Sequence, residues 1–206
     1  MAVPLPMFPL GTALFPHEPL PLHVFEPRYR ALARDCHRGD GRLGVVLIER
    51  GSEVGGGDTR FAVGTAARLV EAAELPDGRW HLLVVGDHRI KVTTWLPDDP
   101  YPVGLVEDLD DAPLEAADGA LVQRAGAIVR ETLRLARALG LGVPPPDVAV
   151  ADDLTTAAWQ LAAIAPLGPL DKQRLLEQDS AGTRLELLAE LAGDAAAVLA
   201  YRLGDG

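Results

Sequence analysis

The densest run of side chains able to do chemistry is His23-Val24-Phe25-Glu26-Pro27-Arg28-Tyr29-Arg30. It brings together an imidazole, a carboxylate, a phenol and two guanidinium groups. Glu26 and Arg30 stand four apart and would meet across one helical turn, contributing about 0.2–0.5 kcal/mol if exposed. Such a cluster can serve as a recognition patch. The simpler reading is a strand-to-helix corner, in which Glu26 caps amide groups and the arginines tie the corner to nearby loops. On residue types alone the simpler reading is favoured.

Other candidate centres are weaker. The histidines are His17, His23, His37, His81 and His88, and no two stand at the i, i+4 spacing of a helical zinc site. With one cysteine, Cys36, a thiolate metal cage is not expected, and neither is an intramolecular disulfide. Cys36 falls on an apolar helical face, where a thiol behaves as a small hydrophobe. Asp98-Asp99 and Asp108 to Asp111 read as solvated acidic loops, because an acid–base pair would need burial to separate its two pKa values. The only serines are Ser52 and Ser180, neither near a lysine in sequence. The glycine-rich stretch Gly51 to Gly57 matches neither a phosphate-binding loop nor a dinucleotide fingerprint. It reads as a polar connection, with a flexible lip over a groove as the functional alternative. Arg124, Arg130, Arg134 and Arg137 mark the polar side of a long helix, interrupted by Glu131.

Charge narrows the partners. Lys and Arg number 19 against 30 Asp and Glu, a net charge of −11. Phosphate backbones repel such a chain unless a basic patch is segregated, so nucleic acid and anionic membrane are disfavoured. No apolar stretch reaches the roughly 18 residues of a membrane span. The N-terminal segment holds three prolines in its first nine residues and no basic residue ahead of its apolar part, unlike a secretory leader. A cytoplasmic location is the expectation.

The elements that must position these residues differ between the two halves. Residues 1 to about 110 read as strands and turns. Pro4, Pro6, Pro9, Pro16, Pro19 and Pro21 break the opening into edge strands or extended loops, since proline lacks the ladder donor. Pro27 suits the first position of a short helix, with Tyr29, Leu32, Ala33 and Cys36 on its buried face. Leu43 to Ile48 is a continuous apolar run, the signature of a strand buried on both faces. Phe61 to Ala73 is β-rich, Pro76-Asp77-Gly78 is a turn, and Trp80 to Val85 and His88 to Trp95 are read as separate strands around Gly86-Asp87. Pro102 to Asp108 would close the sheet. These short strands suggest a small barrel or a sandwich.

Residues from about 114 to 203 read as four helices joined by short loops, a compact bundle. The first runs from about Leu114 to Leu139, with Leu121, Ala125, Ile128, Val129, Thr132, Leu133, Ala136 and Leu139 on one face. A stiff Gly142 to Pro146 connector follows. The second helix starts after an Asp153 cap. The third covers about Leu170 to Gln178. The fourth starts near Thr183, where Thr183 and Glu186 have capping-box spacing.

Several phrases together resemble the N-terminal, substrate-binding domain family of Lon proteases, particularly its single-domain bacterial relatives. They are MFPLG (Met7 to Gly11), LPLHVFEPRYR (Leu20 to Arg30), LGVVLIERGSEVGG (Leu43 to Gly56) and the long run from Val63 to Val92. PYPVGLVEDLDD (Pro100 to Asp111) and LAAIAPLGPLDKQRLLE (Leu161 to Glu177) complete the set. The likeness covers nearly the whole chain in the right order, and the His23 to Arg30 phrase is its most specific part.

The resemblance implies an α+β fold in two lobes that together make one Lon N-terminal-type domain. Residues 1–112 would form a PUA-like β pseudo-barrel and residues 113–206 a C-terminal four-helix bundle. It implies a non-catalytic module that binds unfolded or flexible polypeptide segments, as an adaptor or holdase-like receptor, alone or with a protease or other protein partner. The ATPase and Ser-Lys protease signatures of full Lon are not found in this sequence, so no hydrolysis is expected. No cofactor and no metal are expected. His23, Glu26, Arg28, Arg30, Glu53 and Arg89, all within the matching phrases, form the candidate polypeptide-binding set. The alternative is a small-molecule or RNA binder on a PUA-like barrel, since fold alone does not fix function.

Overall fold

The computed structural model describes residues 2–53 and 57–204. Val54, Gly55 and Gly56, in the middle of the glycine-rich stretch, lie outside the described residues. The fold is mixed α+β. The chain divides into two compact units, Met1–Asp110 and Asp111–Gly206.

Among the described residues the first unit holds six strands and one helix: β1 Val3–Leu10, β2 Pro19–Val24, α1 Pro27–Arg38, β3 Arg42–Arg50, β4 Thr59–Glu74, β5 Trp80–Trp95 and β6 Val103–Leu109. Their order is β2-β5-β4-β3-β1-β6, and a further β5–β6 pairing closes the sheet on itself and leaves β2 as an outer strand. Alternate residues then feed two cores. Leu5, Met7, Val46, Ala66, Ile90, Val92 and Val106 pack together in one cluster. Phe8, Leu10, Leu43, Val45, Ala67, Trp80, Leu82 and Val84 pack with Tyr29, Leu32, Ala33 and Cys36 of α1 in the other. Val45 and Val46 therefore point to different cores, which is why β3 reads as an unbroken apolar run.

The prolines behave differently from expectation in β1. This strand is interior in the sheet order, not an edge. Residues 3–6 pair antiparallel with β6 and residues 7–10 pair parallel with β3. Each half is laddered on one side, so Pro4, Pro6 and Pro9 can be accommodated without missing a bond on both sides. A second difference lies at Gly86-Asp87, read as a break. There β5 continues through, and the register against β4 slips between Ala66↔His88 and Ala67↔Gly86. The extra residue is a bulge. Glycine is required there because a β-carbon at Gly86 would run into the Phe15 carbonyl. The Gly86 amide donates to the Glu18 carbonyl (3.0 Å) and the His17 amide to the Gly86 carbonyl (2.8 Å).

The second unit holds a 3-10 turn, Ala116–Asp118, followed by α2 Gly119–Ala138, α3 Leu154–Ile164, α4 Pro169–Leu176 and α5 Ala181–Gly204. The buried face of α2 is Val122, Ala125, Gly126, Val129, Thr132, Leu133 and Ala136; Leu121, Ile128 and Leu139 flank it. Asp153 caps α3 as expected, accepting from the Thr156 amide at 2.8 Å. On α5 the cap is Ser180 rather than Thr183: the Ser180 hydroxyl oxygen accepts from the Thr183 amide at 3.1 Å. Two arginines of α2 hold the proline-rich connector. Arg130 donates to the Pro146 and Val148 carbonyls, and Arg137 to that of Val143. Arg134 pairs with Glu131.

The interior of this unit contains a charged hub. Arg184 is 2% exposed. Its guanidinium lies 3.7 Å from the Trp159 ring centroid, donates to Asp111 at 2.7 Å, and reaches the Leu175 and Gln178 carbonyls. Asp111 is thus an internal partner and not part of a solvated acidic loop.

Candidate functional site

The edge strand β2 sets up the site. The Gly86 amide donates to the Glu18 carbonyl, so Glu18 turns its backbone groups toward β5. The β2–β5 register then runs without a slip from Pro19↔Val85 to Val24↔Trp80. By the two-residue period of a strand, Leu20 and Leu22 also face β5. Pro19, Pro21 and His23 turn theirs outward, to the edge that carries no strand among the described residues. Two of these three lack an N–H group. The outer edge of β2 therefore offers carbonyl oxygens at Pro19, Pro21 and His23 but an amide only at His23. This arrangement blocks simple strand addition.

A cleft of about 230 Å³ lies along this edge, lined by Phe8, Leu10, Pro21, Leu22, His23, Val24, Phe25, Glu26, Tyr29 and Glu53. Residues of both alternations of β2 line it and, among the described residues, none of β5 does, which puts it on the outer side of the strand. Phe8, Leu10, Val24 and Tyr29 are buried and make the floor, with the Phe8 and Tyr29 rings stacked at 4.3 Å between centroids. Phe25 is 52% exposed at the mouth. His23 is exposed beside it, with its ring edge-on to His81 of β5 at 4.9 Å.

Polar groups at the rim brace one another. Glu26 stands at the N-cap of α1 but makes no side-chain cap bond; its carboxylate pairs instead with Arg28 at 3.3 Å. Arg28 lies over the Tyr29 ring at 4.4 Å and donates to the Glu53 carbonyl at 3.1 Å. Glu53 accepts from the Gly11 amide through one carboxylate oxygen. Burial pushes the Tyr29 phenol up to about 12, and its hydroxyl has no hydrogen-bond partner among the described residues.

The structure therefore brings His23, Glu26 and Glu53 to one cleft, with Arg28 as the brace that fixes its carboxylate side. Arg30 goes elsewhere. It lies under the β4–β5 turn, where a β-carbon at Gly78 would overlap its guanidinium. Gly78 also takes φ +77°, the left-handed conformation that this turn needs. Arg89 is 3% exposed within β5, so it is a buried sheet residue and not part of a surface patch. Phe8, Phe25 and Tyr29 join the cleft without belonging to the expected set. Phe25 carries a sequence signal, because it shares the outward alternation of Pro21 and His23.

The remaining chemical groups are engaged structurally. Cys36 is buried, donates toward the Arg42 carbonyl at 3.4 Å, and burial raises its thiol to about 11, leaving it neutral. His88 is held between Asp87 at 3.3 Å and Asp108 at 3.0 Å. Arg60 lies 4.6 Å from the Trp95 centroid and binds both Asp58 and Asp98. Burial alone would raise the Asp58 carboxyl, but the hydrogen bond from Arg60, a backbone hydrogen bond and the charges of Arg60 and Arg28 together outweigh this and hold it below the usual range. Among the described residues no three metal-ligating side chains converge, and no helix is long and apolar enough to cross a membrane.

The family model of the ATP-dependent protease La (LON) substrate-binding domain matches residues 4–193. The chain belongs to this family. Lon protease 1 of Myxococcus xanthus is 30% identical over 199 residues, covering 91% of this chain and 24% of that protein. Lon protease 2 of Herpetosiphon aurantiacus is 29% identical over 193 residues, covering 90% and 23%. The chain thus spans about a quarter of the length of these curated relatives. The match is to the Lon substrate-binding domain, so it lends no support to protease chemistry here. The crystal structure of the Lon N-terminal domain protein from Xanthomonas campestris has a TM-score of 0.63 at 30% identity, covering 90% of this chain and 96% of that one. The N-terminal domain of the Mycobacterium avium complex Lon protease has a TM-score of 0.65 at 17% identity, covering 93% and 99%, a likeness of fold.

Proposed function

We propose that this Lon-type substrate-binding domain is a non-catalytic receptor that holds flexible polypeptide segments of protein substrates in the cleft beside β2. The observation that carries the reading is the cleft itself. Its apolar floor and exposed Phe25 are built largely from the phrase that most resembles the family, and they stand open on an edge where strand addition is blocked. Side-chain capture, rather than backbone pairing, is what such a surface offers. The closed ring of strands and the four helices of the second unit support reading the two units as a PUA-like barrel and a helical bundle, together one Lon N-terminal-type domain. Action as an adaptor or holdase in the cytoplasm, alone or with a protease, follows from the same reading. The carboxylates at the rim and the net charge of −11 weigh against RNA as the ligand.

The test is fluorescence anisotropy of a labelled, permanently unfolded polypeptide titrated with the purified protein at low and moderate salt. Saturable binding in the micromolar range that persists at moderate salt is expected. No binding across a panel of unfolded proteins would overturn the receptor assignment.

A further inference from the structure

The hydrogen-bonding inventory of the cleft is lopsided. The outer edge of β2 turns the carbonyls of Pro19, Pro21 and His23 outward with one amide, as the bond from Gly86 to Glu18 and the unbroken register require. Glu26 and Glu53 add two carboxylates to the lining, and among the described residues no Lys or Arg lines it. Arg28, beside the cleft, is committed to the Glu26 carboxylate and to the Glu53 carbonyl. Acceptors therefore dominate the rim, while the floor is apolar and aromatic. A ligand that satisfies this rim must bring donors, and preferably positive charge. A ligand that brings carboxylates would meet acceptors where it needs donors, added to the field of a chain with net charge −11.

We propose that the cleft selects polypeptide segments in which a large apolar side chain is adjacent to a lysine or arginine. The apolar side chain enters over Phe8, Leu10 and Tyr29, beside Phe25. The neighbouring cation, its aliphatic stem lying along the same apolar wall, reaches the Glu26 and Glu53 carboxylates. Selection of this kind gives a receptor for varied clients a bias without a fixed sequence, because one apolar contact and one charge recur widely in unfolded chains. The inference rests on the receptor reading above and adds the chemical class of segment preferred.

The test uses labelled peptides of one length that differ at two positions: leucine followed by lysine, leucine followed by glutamate, and serine followed by lysine. Each is titrated against the full chain by anisotropy, alongside the unfolded polypeptide. The leucine–lysine peptide is expected to bind roughly tenfold more tightly than the leucine–glutamate peptide, with the gap shrinking as salt rises. The serine–lysine peptide is expected to bind more weakly than leucine–lysine at every salt concentration. The double variant Glu26→Gln, Glu53→Gln keeps acceptor oxygens at both positions and should bring the two leucine peptides to within about twofold of each other. Equal affinity for leucine–lysine and leucine–glutamate in the native protein, with the unfolded polypeptide still bound, would overturn the preference and leave the receptor function standing. An unchanged preference in the double variant would overturn the assignment to this cleft. Loss of every interaction, unfolded polypeptide included, would overturn both.

Discussion

Two arginine-centred clusters use the same residue types in opposite ways. In the helical unit, Arg184 is buried against Trp159, and its donors go to Asp111 and to the Leu175 and Gln178 carbonyls. At the corner between β2 and α1, Arg28 is half-buried over Tyr29, pairs with Glu26, and leaves an acceptor-rich cleft open beside it. The first cluster turns its polar valences inward. The second keeps acceptors and an aromatic mouth facing outward. A charged cluster near an aromatic ring is thus no sign of a binding site in itself; what separates the two is whether its hydrogen-bonding capacity is already consumed.

The contrast is most exposed to failure at Arg184. Arg184→Met keeps much of the volume but removes the bonds that Arg184 donates to Asp111 and to the Leu175 and Gln178 carbonyls. Removing one partner of a buried pair typically costs about 3–5 kcal/mol. Urea unfolding should show the helical unit destabilised on that scale. A loss below about 1 kcal/mol would mean that the hub relaxes into an equally good arrangement, and the contrast with the β2 corner would fail.

An intermediate case is Asp58, whose side chain is 1% exposed and bound to Arg60. Its carboxyl is depressed in the folded chain. The contribution to stability is therefore complete above the unfolded carboxyl value of about 3.9 and is lost as pH falls through the lower folded value. Stability measured from about pH 6 down to about pH 2.5 should decline in the native protein, and Asp58→Asn should flatten part of that decline. An identical pH profile in the variant would remove Asp58 from the group of internally consumed charges.

How much of this contrast can be read from sequence depends on whether the controlling signal is local. The buried face of α1 follows from the spacing of Tyr29, Leu32, Ala33 and Cys36, and β3 from its unbroken apolar run. Both are patterns within one element. The partner switch of β1 depends on where the distant strand β6 returns, so its prolines mark two half-strands each paired on one side, not a strand at the edge of the sheet. The bulge at Gly86 answers the approach of Phe15, which no local pattern announces. Arg184 reads as an ordinary polar helical residue, and Asp111 as one of several acidic-loop positions, until tertiary packing joins them. For the site, His23, Glu26 and Glu53 line one cleft, whereas Arg89 is buried within β5 and Arg30 lies under the β4–β5 turn. The floor comes from Phe8 and Tyr29, apolar core formers whose exposure to a cleft only coordinates reveal.

The helical side of the comparison is sharpened by a smaller change at the start of α5. Ser180 caps the helix, and the Arg184 amide donates to the Ser180 carbonyl at 3.0 Å, so the cap sets the turn from which Arg184 reaches inward. Ser180→Ala should cost about 1 kcal/mol, the usual contribution of an N-cap. Thr183→Ala should cost less, because Thr183 supplies the capped amide and its hydroxyl only returns to Ser180. The reverse order in thermal unfolding would restore Thr183 as the cap.

The smallest effect on stability should come from Phe25, and it decides the other half of the comparison. An aromatic ring that is 52% exposed has little packing to lose, so Phe25→Ser should change the urea midpoint by an amount equivalent to no more than about 0.5 kcal/mol. At the mouth of the cleft the same ring is placed to touch a bound segment, and aromatic anchors of this kind often account for more than about 1 kcal/mol of binding. Affinity for the unfolded polypeptide should then fall about fivefold or more while the fold is undisturbed. Arg184→Met is the mirror image, with a large loss of stability and every side chain that lines the β2 cleft still in place. If Phe25→Ser left binding unchanged, an exposed aromatic beside outward-facing acceptors would no longer distinguish a working surface from a structural one. The receptor site would then have to lie at other exposed apolar positions.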